Sequence, residues 1–184
     1  EVHTMSSIQQ LKAQTEQGLR DLVDPRLSPE IIRVGLIGEI YTVMEPFVNL
    51  GVEERLGNLG VEVVRTISLR QWIEEHVFKN ALGLYTQRSL RCSASGYLRG
   101  FVGGHGLESI AHSVDSAQRD LAGIIFPLSC MPEIIAQGIL PQVSADKNIP
   151  ILSLVVDEHA GETGFQTRLE AFVDLLQRRM RICH

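Results

Sequence analysis

The sequence is poor in aromatic residues, in cysteine and in positive charge. Phe, Trp and Tyr make up 5% of the 184 residues, there are three cysteines, and 17 Lys and Arg stand against 22 Asp and Glu, giving a net charge of -5. This charge argues against a nucleic-acid surface, because phosphate binding relies on clustered positive charge. Three cysteines are an odd number without disulfide-framework spacing, which is typical of a reducing compartment. The sequence therefore predicts a cytoplasmic protein.

Long apolar runs and targeting segments are also missing. No stretch approaches the ~18 consecutive apolar residues of a membrane span, and no signal-peptide pattern opens the chain. With 44% hydrophobic and 21% charged residues, the chain can bury a full hydrophobic core without stabilisation by disulfide bonds or metal ions. We therefore expect a globular protein that neither crosses a membrane nor binds nucleic acid.

Apolar strands alternate with amphipathic helices along most of the chain. Helical spacing of apolar residues predicts a helix over 6–23, so residues 1–30 are expected to form an N-terminal helix and linker ahead of an α/β domain at 31–184. Near-continuous apolar runs predict four strands, at 31–37, 61–67, 121–128 and 149–156. We predict a three-layer, Rossmann-like or flavodoxin-like fold: an open parallel sheet in the order 2-1-3-4 with helices on both faces.

Two of the predicted helices carry specific expectations. After the turn at Gly38, one helix is predicted to start near Pro46 and to bury a face that includes Phe47. The last helix is predicted to start at a capping box formed by Thr163 and Gln166.

Cys130 is the most informative residue of the chain. It lies where the apolar run 121–128 passes into a Met-Pro-Glu helix start, since Pro132 is tolerated only in the first turn of a helix. In a parallel sheet this junction belongs to the ligand-binding edge. The positive end of the helix dipole favours a thiolate, so the pKa of Cys130 is expected to be lowered.

Other loops at the same edge supply further candidate binding residues. Gly38 and Glu39 follow the first strand and can bring backbone amides close to a ligand. The glycine-rich turn that ends in Gly104, His105 and Gly106 can form an anion-binding nest. Asp157 ends the fourth strand and is a candidate for ligand contact. Arg168 is interpreted as structural, since an arginine there can bond strand carbonyls.

Five segments resemble the 2-hydroxyacyl-CoA dehydratase and benzoyl-CoA reductase family. They are Val-Gly-Leu-Ile-Gly at 34–38, Gly-His-Gly at 104–106, Ser-Cys-Met-Pro-Glu at 129–133, the strand and acidic end at 149–158, and Thr-Arg-Leu-Glu-Ala-Phe at 167–172. The similarity is greatest to the activase-related members, which fuse such domains to a sugar-kinase/Hsp70/actin-type ATPase.

The resemblance implies an iron-sulfur protein. In that family a cysteine at the position of Cys130 ligates a [4Fe-4S]-type cluster together with cysteines of a preceding domain. This chain is then expected to be the carboxy-terminal α/β domain of a larger protein and to hold no cluster by itself. The implied partners are the preceding cluster-binding domain and an ATPase activator, and the implied role is ATP-linked, low-potential electron transfer serving an acyl-CoA dehydratase or reductase.

Other interpretations are open at this stage. The chain can be a non-catalytic binding or structural domain, or a cysteine hydrolase that pairs Cys130 with His105 or His159. Cys130, His105 and the acidic loop that begins at Asp157 also supply residue types that zinc accepts, although the spacing matches no closed zinc motif. Arg88, Arg91 and Arg99 are interpreted as lying on a solvated helix face. The alternative is that they bind the phosphates of coenzyme A.

Overall fold

Four parallel strands form one sheet in the order β2-β1-β3-β4, as predicted. A computed structural model of the chain describes residues 5–22, 31–68, 92–98, 100, 105–119, 121–128, 130–157 and 161–182. The strands are β1 (Ile32–Leu36), β2 (Val61–Arg65), β3 (Gly123–Leu128) and β4 (Ile151–Val155). The helices are α1 (Met5–Asp21), α2 (Ile40–Met44), α3 (Val52–Asn58), α4 (Gly106–Ser116), α5 (Met131–Lys147) and α6 (Glu162–Ile182).

The chain divides into two compact units, Glu1–Ile31 and Ile32–His184. The first contains α1, whose apolar residues Ile8, Leu11 and Leu19 are each more than half exposed. The second contains the whole sheet and the helices packed on it. No helix within the described ranges is long and apolar enough to cross a membrane.

The core lies on both faces of the sheet, because successive strand residues point to opposite sides. On one face, Leu36 and Ile125 pack with side chains of α2, α3 and α6. On the other face, Ile124 and Phe126 pack with side chains of α4 and α5. Strand β3 is buried at all of its positions, as a central strand covered on both faces requires.

The prediction of a single helix after Gly38 is wrong, because the chain between β1 and β2 forms two short helices, α2 and α3. Asn49 makes the break, since its side-chain amide donates to the carbonyls of Thr42 and Val43 while its oxygen accepts from the Val52 N–H. These bonds replace the helical bonds that the two ends lack. As a result Phe47, predicted to be buried, is 87% exposed.

The start of the last helix also differs from the prediction. Helix α6 begins at Glu162, so Thr163 lies inside it and does not cap it. The Gln166 side chain instead accepts from Arg55 and donates to Glu170. The predicted inward face of α6 is confirmed, with these residues buried: Phe165, Leu169, Phe172, Val173 and Leu176.

Candidate functional site

The carboxyl ends of β1 and β3 mark the place where the winding of the sheet reverses. The chain leaves β1 toward β2 on one side, and β3 lies on the other side of β1. Open α/β sheets bind ligands in the crevice outside such a reversal. Helices α2 and α5 begin directly after β1 and β3, and α4 begins at the same edge because it runs back to the start of β3.

Pro127 weakens the pairing of β1 and β3 at this edge. The Ile37 N–H donates to the Ile125 carbonyl at 3.0 Å. Residue 127 faces the same neighbour as residue 125, because backbone direction alternates along a strand. Proline has no N–H, so β3 offers β1 no donor at this position. Gly38 passes so close that a Cβ atom there would lie 2.7 Å from the Pro127 carbonyl oxygen.

Cys130 stands at the junction of β3 and α5, as predicted. It is the N-terminal cap residue of α5 in extended conformation, and its carbonyl accepts from the N–H groups of Glu133 and Ile134 at 3.1 and 3.2 Å. The thiol makes no capping hydrogen bond and is partly exposed.

The electrostatics of the thiol are opposite to the expectation from the helix dipole. Burial raises the pKa of Cys130, and the carboxylates of Glu133 and Glu39 raise it further, while the backbone amide of Glu133 opposes the shift. Loss of solvation and two nearby acids thus outweigh the dipole. The raised pKa also argues against the cysteine hydrolase interpretation, because a nucleophilic cysteine needs a lowered one.

Glu133 is a site residue that sequence reasoning missed. Its side chain is fully buried, and the Ser109 hydroxyl donates to Oε1 at 3.1 Å. Among the described residues, Oε2 has no hydrogen-bond partner. Burial raises the pKa of Glu133 to about 7, the Ser109 bond opposes this, and Glu39 and Glu108 add to it. Near neutral pH this carboxyl group exchanges between its acid and its anion.

Glu39 uses its carboxylate locally. Oε1 accepts from the Tyr41 N–H, and Oε2 accepts from both the N–H and the hydroxyl of Thr42, each at 3.0 Å. These bonds cap α2. The negative charge of Glu39 acts on both Cys130 and Glu133. Its position at the crevice is as predicted, and the structure gives its carboxylate a capping role.

The glycine-rich turn is described only from His105 onward, and Gly104 lies outside the described residues. His105 precedes α4 and provides no side-chain cap for it. A Cβ atom at Gly106 would lie 2.5 Å from the carbonyl oxygen of Pro132. Gly106 is therefore needed so that the first turns of α4 and α5 can touch, and this contact brings Ser109 to Glu133.

Asp157 lies apart from this site. It lines an open cleft of about 640 Å³, together with Arg55 and Glu162, on the face of the sheet that carries α2, α3 and α6. Arg168 has the structural role expected of it, donating to the Ser153 carbonyl of β4 at 2.7 Å. His159, Arg88, Arg91 and Arg99 lie outside the described residues.

A complete metal site is not formed by the part of the chain that the structure describes. In these ranges no three His, Cys, Asp or Glu side chains converge as metal ligands. Cys130 therefore fits one ligand position of a cluster and no more.

The comparisons with known proteins give no neighbour. No family model, no curated protein and no solved structure matches the chain. The resemblance to the 2-hydroxyacyl-CoA dehydratase family therefore depends on the sequence segments and on the position of Cys130.

Proposed function

We propose that this chain is an α/β domain of an iron-sulfur protein related to 2-hydroxyacyl-CoA dehydratases and their activases. Its Cys130 supplies one thiolate to a [4Fe-4S] cluster whose other ligands come from a preceding domain. The whole protein serves ATP-linked, low-potential electron transfer to an acyl-CoA dehydratase or reductase. When bound, such a cluster carries one electron at a potential set by its ligands and surroundings.

The observation that carries the proposal is the state of the Cys130 thiol. It lies at the reversal point of the sheet, partly exposed, and is not engaged in capping α5. Its raised pKa keeps the proton on sulfur in the absence of metal. A metal ion deprotonates a coordinating thiol outright, so the raised pKa is compatible with a ligand and unsuited to a free nucleophile.

The neighbouring residues hold the thiol and adjust its surroundings. Pro132 fixes the first turn of α5, and Gly106 lets α4 pack directly against that turn. Glu133 places a titrating carboxyl group one helical turn from Cys130. Its charge is expected to tune the site, because nearby charge is one of the factors that set a cluster potential.

The proposal is tested by iron and sulfide analysis of the full-length protein purified without oxygen. Cys130→Ser should lose most of the bound iron while the domain stays folded, since serine is close to cysteine in size and lacks the soft ligand. Cys92→Ser is the matched control, since Cys92 is also free and is exposed, and it should keep its iron. A wild-type protein without iron, or a Cys130→Ser protein with normal iron, contradicts the proposal.

A non-catalytic docking domain is the second candidate. Three apolar side chains on the first turns of α5 are exposed beside Cys130: Met131 at 69%, Ile134 at 49% and Ile135 at 44%. Exposed apolar groups at such spacing are typical of a docking surface. Under this alternative the wild type and Cys130→Ser both lack iron, and the melting temperature changes little, because Cys130 is partly exposed and serine is a favoured N-cap residue.

A further inference from the structure

Helix α1 carries an apolar stripe that is open to solvent. The large members of this α1 stripe recur at helical spacing on one face and are 51–81% exposed: Ile8, Leu11, Leu19 and Leu22. The Leu22 N–H donates to the Leu19 carbonyl at 3.3 Å, which continues the last turn of α1 as far as Leu22. An isolated helix of 17 residues is only marginally stable in water. Most of its stability must therefore come from packing the α1 stripe against a partner.

The spacing of the α1 stripe is the same when it is read from either end. Thr15 lies at the centre, and the intervals between members are three, four, four and three residues: Ile8, Leu11, Thr15, Leu19 and Leu22. Two copies of α1 that run antiparallel about Thr15 therefore match at every position. Ile8 of one copy lies opposite Leu22 of the other, and Leu11 lies opposite Leu19. The α1 stripe is thus complementary to itself in the antiparallel direction.

Thr15 can be buried at the centre of such a pair without leaving a hydroxyl unpaired. Its hydroxyl donates to the Leu11 carbonyl at 2.8 Å within α1. A buried polar group is costly only when it lacks a hydrogen bond, and this donor already has one. The polar member of the α1 stripe is therefore compatible with burial between two helices.

The charges beside the α1 stripe favour the antiparallel direction. At about 100° per residue, Lys12 and Glu16 lie on one flank of the stripe, whereas Gln14 and Gly18 lie on the other flank. In an antiparallel pair the same flanks face each other, so Lys12 of each copy lies beside Glu16 of the other. In a parallel pair the charged flank faces the uncharged one. Both charged side chains are more than half exposed and lie 3.6 Å apart within α1, so each can also reach a second copy.

We propose that α1 is a self-association helix through which two copies of this chain form an antiparallel pair. The two-fold axis passes beside Thr15, and the same α1 stripe is used by both copies, as a symmetric dimer requires. Cys130 takes no part in this contact, so the inference does not depend on the iron-sulfur proposal. A pair of 17-residue helices is at the small end of specific interfaces, so we expect a dissociation constant of about 10–100 µM.

Sedimentation equilibrium of the whole chain over about 5–500 µM measures the self-association. Leu11→Ser combined with Leu19→Ser removes apolar groups from the α1 stripe and should raise the dissociation constant at least about tenfold. Gln10→Ser combined with Ala13→Ser is the matched control, because both residues are exposed on the opposite face of α1. It introduces the same number of serines and should leave the dimer intact. A wild type that is monomeric throughout, or a stripe variant that pairs as tightly as the control, would overturn the proposal.

The direction of the pair is tested by mixing two charge variants, Lys12→Glu and Glu16→Lys, one of them labelled with ¹⁵N. In an antiparallel pair each variant repels its own copy and attracts the other. Native mass spectrometry should then show mixed dimers well above the half that random pairing gives, at more than about three-quarters. Gln10→Glu mixed with Gln10→Lys is the control from the opposite face and should stay near half. A mixed fraction near half for the Lys12 and Glu16 variants would contradict the antiparallel arrangement.

Discussion

The two sides of the carboxyl edge contain the same kinds of side chain in opposite surroundings. On the Cys130 side, α4 and α5 touch at Gly106 and Pro132, and Glu133 is fully buried with one hydrogen bond. On the Asp157 side, an open cleft leaves Glu162 three-quarters exposed beside Arg55. The first arrangement makes a carboxyl group that titrates near neutral pH, and the second makes a solvated charged surface. Burial, more than residue type, decides what each acid can do.

The largest expected effect is the pH dependence that Glu133 gives to the stability of the fold. Its pKa is raised from 4.5 to about 7 in the folded protein. Between these values the unfolded chain releases the proton and the folded chain retains it, so the free energy of unfolding falls as the pH rises. The loss over this window is roughly 3 kcal/mol, at about 1.4 kcal/mol per pH unit.

Urea denaturation of the wild type and of Glu133→Gln at several pH values from 4.5 to 8 measures this effect. The neutral glutamine cannot ionise, so the variant should gain on the wild type steadily as the pH rises. Glu162→Gln serves as the control from the exposed side and should run parallel to the wild type. If the stability of Glu133→Gln instead followed that of the wild type at every pH, burial would not raise the pKa of Glu133.

The contact between α4 and α5 gives the next effect. Gly106→Ala places a methyl group against the Pro132 carbonyl, and such overpacking typically costs about 1–3 kcal/mol. Gly138→Ala, on an exposed position of α5 with no atom within 4 Å of the added carbon, should stabilise by about 0.5–1 kcal/mol. Thermal or urea unfolding distinguishes the two. A neutral Gly106→Ala would mean that the two helices are free to separate.

Most of the fold could be predicted from the sequence, whereas Cys130 was the one part of the Cys130–Glu133 site that was predicted in its observed position. Apolar runs located the four strands within a few residues, and the order 2-1-3-4 is confirmed because right-handed crossovers leave few alternatives. Cys130 was found because Pro132 marks a helix start. These features depend on local pattern.

The features that were missed depend on distant partners. The burial of Glu133 comes from α4, which supplies Ser109 from 24 positions away, and a glutamate in the first turn of a helix has an ordinary explanation in capping. The lowered pKa predicted for Cys130 was wrong. The sequence shows that a helix starts after Cys130, but it does not show that the thiol is partly buried, and burial raises its pKa. Phe47 was predicted to be buried on a continuous helix. The Asn49 side-chain bonds that end α2 cannot be recognised from the spacing of apolar residues.

Thiol reactivity provides a smaller test of the surroundings of Cys130, on the side where α4 and α5 touch. Cys92 is exposed and Cys130 is only partly so, with a raised pKa. At pH 7.5 iodoacetamide should therefore alkylate Cys92 several-fold faster than Cys130, because the thiolate is the reacting form. Mass spectrometry of a time course measures both sites in one sample. Faster alkylation of Cys130 would restore the original prediction from the helix dipole.

The smallest effect concerns the open side, where exposed bonds hold α6 to the edge of the sheet. Arg168→Ala removes the donor to the Ser153 carbonyl and should cost about 0.5–1 kcal/mol, the typical net contribution of one hydrogen bond. Arg178→Ala, at another exposed position of α6, is the control and should change urea stability less. A cost above that of Gly106→Ala would reverse the contrast between the two sides.

Pro127 has a kinetic consequence for whatever enters the crevice. Because β3 offers β1 no N–H at this position, a ligand that binds outside the carboxyl ends of these two strands breaks no ladder bond there. Its association rate should then be limited by encounter rather than by opening of the sheet. Amide hydrogen exchange in β1 and β3 should accordingly be no faster during binding than in the free protein.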